Sequence, residues 1–95
     1  GTILQVHDFP EAKKPAYKLK IDFGEYGIKN SSAQITALYS KEELVGKQVI
    51  CVTNFEIKKI ATFESEVLTM GFILENGKVV LASTERKIPD GTRLA

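Results

Sequence analysis

The sequence predicts an all-β barrel with one short helix. Three observations lead there: seven residues of strict apolar–polar alternation, a single helix start too short to be a scaffold, and turn signals that cut the rest into short strands. The alternation lies in YKLKIDFG, where Tyr17, Leu19, Ile21 and Phe23 face one way and Lys18, Lys20 and Asp22 the other. Successive side chains of a strand point to opposite faces, so this pattern is a half-buried strand. The opening GTILQV is already strand-like. GEYG, residues 24 to 27, is a turn, and IKNSSAQI returns as the second arm of a hairpin.

The helix signal is SKEELVGK. Ser40 is placed to cap it, and Glu43 three residues on completes a capping box. Gly46 follows as the stop. KQVICVTNF is nearly continuous in apolar residues, as in a strand buried on both faces or closing a barrel. EVLTMGFIL and KVVLAS flank Asn76-Gly77, a strong hairpin signal, with Glu75 and Lys78 bracketing it as a cross-strand ion pair. Pro89-Asp90-Gly91 marks a further turn. Three strands, a short helix, then further strands is the order of the OB-fold. The expected architecture is therefore an OB-fold barrel of five strands, with the helix between strands three and four and an added C-terminal hairpin. Strand count alone also allows an SH3-like barrel; the helix position favours the OB-fold.

Ninety-five residues, 43% hydrophobic and 26% charged, make one globular domain spanning 1–95. Thirteen Lys and Arg against twelve Asp and Glu leave a net charge of +1. Such a balance does not itself mark a nucleic-acid binder, so the positions of the charges must decide. The single cysteine excludes an intrachain disulfide and a Cys-rich zinc site. The expected home is the reducing cytoplasm. No apolar run reaches the length of a membrane span, and no membrane insertion is expected. No signal peptide is visible, and the abrupt strand-like opening suggests a trimmed natural N-terminus.

An OB-fold binds through strands two and three and through the loops joining strands 1–2 and 4–5. Here the first loop, DFPEAKKPAY, holds Lys13 and Lys14, and NFEIKKIATF holds Lys58 and Lys59. Strand two offers Lys18 and Lys20; strand three offers Lys29, Asn30, Ser31, Ser32 and Gln34. Both lysine pairs thus fall where an OB-fold grips nucleic acid, while Glu42, Glu43, Glu75, Glu85 and Asp90 lie elsewhere. Glu11, Glu56, Glu64 and Glu66 dilute the patch. A Lys-Lys in a loop is commonly just solvated; the convergence of two loops and one strand face is what raises the binding reading. Phe9, Tyr26, Tyr39, Phe55 and Phe63 are candidate stacking platforms, although Phe63 is better placed for packing.

Catalytic constellations do not emerge. His7 is the sole histidine, and its neighbour Asp8 would point the opposite way along a strand. One His and one Cys fall short of a metal site. Cys51, inside VICV, reads as a small core residue. There is no phosphate-loop glycine motif. No enzyme activity and no cofactor are expected.

Three segments, DFPEAKKPAYKLKIDFGEYGIKNSSAQIT, LVGKQVICVTNFEIKKIATFESEVLTMGF and IPDGTR, resemble the CsaA branch of the tRNA-binding domain family. That family also includes the EMAP II cytokine-like domain and the C-terminal appendage of some methionyl-tRNA synthetases. The resemblance spans nearly the whole chain and implies an OB-fold, a homodimer, tRNA binding and chaperone-like help to protein export. The family motif of Asn, basic pair and Ser-Glu-Gly-Met falls on Asn54, Lys58, Lys59, Ser65 and Glu66; Val67 and Leu68 stand at the Gly-Met positions, as in the CsaA branch. Of the family's D-I-R-V-G strand start, only Gly1 is matched.

The resulting expectation is a tRNA-binding domain that reads RNA by backbone charge and shape. Lys13, Lys14, Lys58 and Lys59 would contact phosphates. Lys29, Ser31, Ser32, Gln34, Asn54, Ser65 and Glu66 would line the remaining RNA interface. The alternative is an export-related chaperone that binds unfolded or precursor polypeptides, or the export machinery. Its apolar groove would be built from Phe9, Phe55 and Ile57 or lie at a dimer seam.

Overall fold

A computed structural model describes residues 1–54 and 56–94. Three strands form its largest sheet: β1 (Thr2–Asp8), β2 (Tyr17–Asp22) and β3 (Ile28–Ala33), antiparallel in the order β1-β2-β3. The alternation read from the sequence decides which faces are buried. Tyr17, Leu19, Ile21 and Phe23 are all buried, whereas Lys20 is exposed and Lys18 and Asp22 are half-buried. A 3-10 turn over Gly24–Tyr26 joins β2 to β3. Leu4 is an extra residue between the paired positions Ile3 and Gln5, a bulge that leaves its side chain exposed.

The helix α1 (Lys41–Leu44) is a single turn with the expected capping box: Glu43 N–H donates to Ser40 Oγ, and Ser40 N–H donates to Glu43 Oε1 at 2.7 Å. Its one apolar residue, Leu44, is fully buried. The helix ends in a turn in which Lys47 N–H donates to Leu44 O, with Gly46 at φ 92°. Positive φ at that position suits glycine.

Beyond the helix the strands are short. They are β4 (Cys51–Val52), β5 (Lys58–Ile60), β6 (Phe63–Ser65), β7 (Leu68–Thr69), β8 (Gly71–Ile73) and β9 (Val79–Leu81). They pair as β4-β7, β5-β6 and β8-β9. The five-strand barrel expected from the sequence is not formed as continuous ladders. Among its described residues, KQVICVTNF contributes only two to a strand, because its backbone serves several neighbours in turn. Val49 bonds to Gly1, Ile50 N–H donates to Ala82 O, and Ile50 O accepts from Met70 N–H. The fold class stands as all-β, with isolated bonds spanning the gaps between ladders.

The core gathers the inward faces of β1 to β3, with Ile35, Leu44, Val49 and Val67. Both C-terminal turn signals are realised. Gly77, at φ 83°, closes the β8-β9 hairpin, with Gly77 N–H donating to Leu74 O. Glu75 and Lys78 form no ion pair there; Lys78 instead donates its backbone N–H to Asn76 Oδ1 at 3.0 Å. At Pro89-Asp90-Gly91, Thr92 N–H donates to Pro89 O. Gln48 holds this tail to the domain by donating to Ile88 O at 2.7 Å and accepting from Ile88 N–H at 3.0 Å.

Candidate nucleic-acid interface

The antiparallel register sorts the polar residues of the sheet. On the outer face His7, Lys18 and Ser32 stand in one row, and Gln5, Lys20 and Asn30 in the next. Ser31 and Lys29 pair with the buried Leu19 and Ile21, so they belong to the opposite face. Five neighbouring polar residues of a strand cannot share one face. Strand three therefore presents Asn30 and Ser32 to the outer side, with exposed Gln34 just past its end.

Two basic segments flank this face. The loop between β1 and β2 exposes Lys13 and Lys14, and its root is anchored by the buried Phe9. Phe9 meets Phe63 of β6 edge-to-face, with ring centroids 5.4 Å apart. Lys18 Nζ lies over both rings, 5.4 Å from one centroid and 5.9 Å from the other. The loop and the β5-β6 hairpin are thereby tied to the same part of the sheet. Lys58 and Lys59 are exposed on β5, a hairpin strand where the sequence suggested a loop. The two-residue turn that follows holds Ala61 at φ 53°. Lys59 faces Glu64 in register without an ion pair among the described residues.

The Ser-Glu of the family motif is used differently from expectation. Glu66 Oε1 accepts from Asn30 N–H at 3.0 Å, while Asn30 O accepts from Glu66 N–H at 2.8 Å. Ser65 is buried; its Oγ accepts from Ser32 N–H at 3.0 Å and donates to Val67 O at 3.3 Å. Ser31 is fully buried, its hydroxyl bonded to Val67 O at 3.0 Å and to Thr69 Oγ1 at 2.8 Å. These side chains replace a ladder between β3 and the segment after β6. In this fold Ser31 and Ser65 are latch residues, out of reach of a surface ligand.

Lys29 and Asn54 lie elsewhere again, at an apolar cleft of about 610 Å³ floored by Phe23, Val49, Val52, Met70 and Ile88. The polypeptide groove expected from Phe9, Phe55 and Ile57 does not assemble as foreseen. Phe9 is buried beneath Phe63, Ile57 is exposed, and Phe55 lies outside the described residues. Tyr39 is structural: its carbonyl accepts from Tyr17 Oη and its hydroxyl from Leu81 N–H. Cys51 borders the same cleft, and burial raises its thiol pKa, with a bond to Thr69 acting in the opposite sense.

Lys18 and Lys20 are thus the central cations of the sheet face, with the His7 ring beside Lys18. The alternation of β2 revealed the two lysines; His7 needed the β1-β2 register. Of the nearby carboxylates, Glu66 is engaged with Asn30 and Asp22 with Gly24 N–H at 2.8 Å, while the exposed Glu64 makes no ion pair among the described residues. Among the described residues no cluster of three or more His, Cys, Asp or Glu could hold a metal ion.

Lysines thus stand on the outer sheet face, on the loop beside it and on the adjoining hairpin of this all-β domain. Residues 1–93 match the family described as "Putative tRNA binding domain", and the chain belongs to that family. It is similar to the chaperone CsaA of Bacillus anthracis, with 47% identity and a TM-score of 0.95, covering 100% of this chain and 86% of that one. Similarity to the CsaA chaperone protein of Picrophilus torridus gives 53% identity and a TM-score of 0.91, over 99% of this chain and 86% of that one. Methionine–tRNA ligase 1 of Bacillus anthracis is 40% identical over 80 residues, 81% of this chain but 11% of the ligase. The chain thus spans about a ninth of that relative's length. No helix among the described residues is long and apolar enough to cross a membrane.

Proposed function

We propose that this domain is a non-catalytic, cytoplasmic tRNA-binding module that holds RNA by backbone charge and shape on the outer face of β1 to β3. What supports this reading is Lys18 and Lys20 on that face, Lys13 and Lys14 on the loop rooted at Phe9, and Lys58 on the Phe63 side of the hairpin, with Lys59 on the opposite side of that strand. Lysines at such a face neutralise phosphates and release counterions, which supplies affinity without sequence information. Shape and 2′-hydroxyl contacts then favour structured RNA. Titration with bulk tRNA at several salt concentrations tests the reading. With about four phosphate contacts, log affinity should fall against log salt with a slope of roughly −3 to −4. No binding at low salt would overturn it.

A homodimer belongs to the same proposal. Phe72 is 65% and Ile73 80% exposed on β8, and Leu68 and Val80 are also exposed. Such apolar exposure is typical of an interaction surface. Two domains joined this way would offer two cationic faces to one bent RNA.

A second reading, polypeptide chaperoning, is favoured by the 610 Å³ apolar cleft and by the chaperone neighbours. Lys29 and Arg93 at the cleft border suit an apolar segment with acidic flanks. Binding of unfolded polypeptide that is insensitive to salt and lost in Met70→Glu would support it; RNA-like salt dependence would count against it.

A further inference from the structure

On the outer face lies a shallow hollow of about 260 Å³ lined by His7, Lys18, Leu19, Lys20, Asn30 and Phe63. Phosphate contacts alone do not require a hollow, since lysines on a flat sheet would serve. Three features of its lining belong to a different chemistry. Phe63 is half-exposed and fixed in place by the buried Phe9 against its ring. The backbone of Asn30 is engaged by Glu66 and Val67, yet its half-buried side-chain amide makes no hydrogen bond among the described residues. Lys18, Lys20 and His7 surround both.

An aromatic wall, a free amide with donors and an acceptor, and two lysine cations match one nucleotide. A base stacks on the ring, its edge meets the amide, and its phosphates meet the cations. An aliphatic peptide side chain would make no use of the amide or the cations. A base held in a duplex stack cannot enter the hollow. We propose that the hollow receives a single unpaired, unstacked base of the bound RNA, with Phe63 as its stacking surface and Asn30 reading its edge. The base displaces the Lys18 ammonium from above the Phe63 ring, and Lys18 turns to a flanking phosphate. This deepens the RNA-binding reading and rests on it. The domain then distinguishes RNA with an exposed nucleotide from a continuous helix, which charge alone does not do.

The test compares a blunt RNA duplex with the same duplex bearing a short single-stranded 3′ overhang that contains 5-iodouridine. The overhang RNA should bind about tenfold more tightly, within the range measured for stacking of one base on an aromatic side chain. Irradiation should crosslink the overhang to Phe63, as located by mass spectrometry of the digested protein. Asn30→Ala should reduce affinity for the overhang RNA and leave the blunt duplex unaffected. Phe63→Leu, which keeps apolar contact with Phe9, should remove the preference while retaining salt-dependent duplex binding; thermal melting verifies its fold. Equal affinity for both RNAs, or a preference that survives both substitutions, overturns the base hollow and leaves the charged face standing. Failure of either RNA to bind the native domain at low salt overturns both readings.

Discussion

The two sides of this domain treat their outward residues in opposite ways. On the β1-β2-β3 sheet the outward rows are His7, Lys18 and Ser32, then Gln5, Lys20 and Asn30, above a fully buried apolar layer. On the β7 to β9 side, strands of two or three residues leave Leu68, Phe72 and Ile73 exposed. A long regular strand separates apolar from polar every second residue, so one side chain need not serve both water and core. Short strands linked by single bonds do not impose that separation, and their apolar residues await a cover. On the proposed function, the first side would meet phosphates and the second an apolar partner.

Reversing charge on the polar side is the largest test of this contrast. Lys58→Glu with Lys59→Glu should weaken tRNA binding on the order of a hundredfold at low salt and flatten the salt slope by about two. Its melting temperature should stay unchanged, because both side chains are exposed. Unaltered affinity would remove the hairpin from the interface. On the apolar side, Phe72→Ser with Ile73→Ser should convert a sedimenting dimer to monomer and leave RNA affinity per domain intact. A dimer that survives both substitutions would move the seam elsewhere.

Between the two sides lies the buried Ser31. Ser31→Ala leaves Val67 O only its bond from Ser65 Oγ and Thr69 Oγ1 only its contact with Cys51 Sγ, and should cost about 1 kcal/mol. At roughly 4–8 °C per kcal/mol for a domain of this size, the loss is visible in thermal melting. RNA affinity of the folded fraction should not change; a specific loss would return Ser31 to the binding surface. The smallest effect concerns Cys51. Its folded thiol pKa is raised by burial, so its contribution is fully present below the ordinary thiol range and is lost as pH rises through the folded value. Native stability should therefore decline more steeply above about pH 9 than that of Cys51→Ala, as urea melts at matched pH would show.

Much of this arrangement was legible in the sequence, and the remainder failed for definable reasons. Period-two alternation gave the β2-β3 hairpin, and Ser40 with Glu43 gave the capped turn of helix. The fate of Lys29, Ser31 and Ser65 was hidden. A polar residue enters a core when its partners are found across the fold, and those partners, Val67 O and Ser32 N–H, are distant in sequence from Ser31 and Ser65 respectively. Lys29 sits on the cleft side because the register pairs it with Ile21, which no local pattern states. Lys58 and Lys59 read as loop because their strand has only three residues. His7 gained significance only once the register set it beside Lys18.

The latch formed by Ser65 and Glu66 also guards the protein against itself. The edge of β3 away from β2 would otherwise offer Asn30 and Ser32 N–H groups to any passing strand, a template for sheet-to-sheet association. Glu66 and Ser65 occupy those donors with side chains, which cannot propagate a ladder. A change at either position therefore threatens solubility before it threatens recognition. A Glu66→Ala protein that precipitates during concentration would be reporting an opened sheet edge.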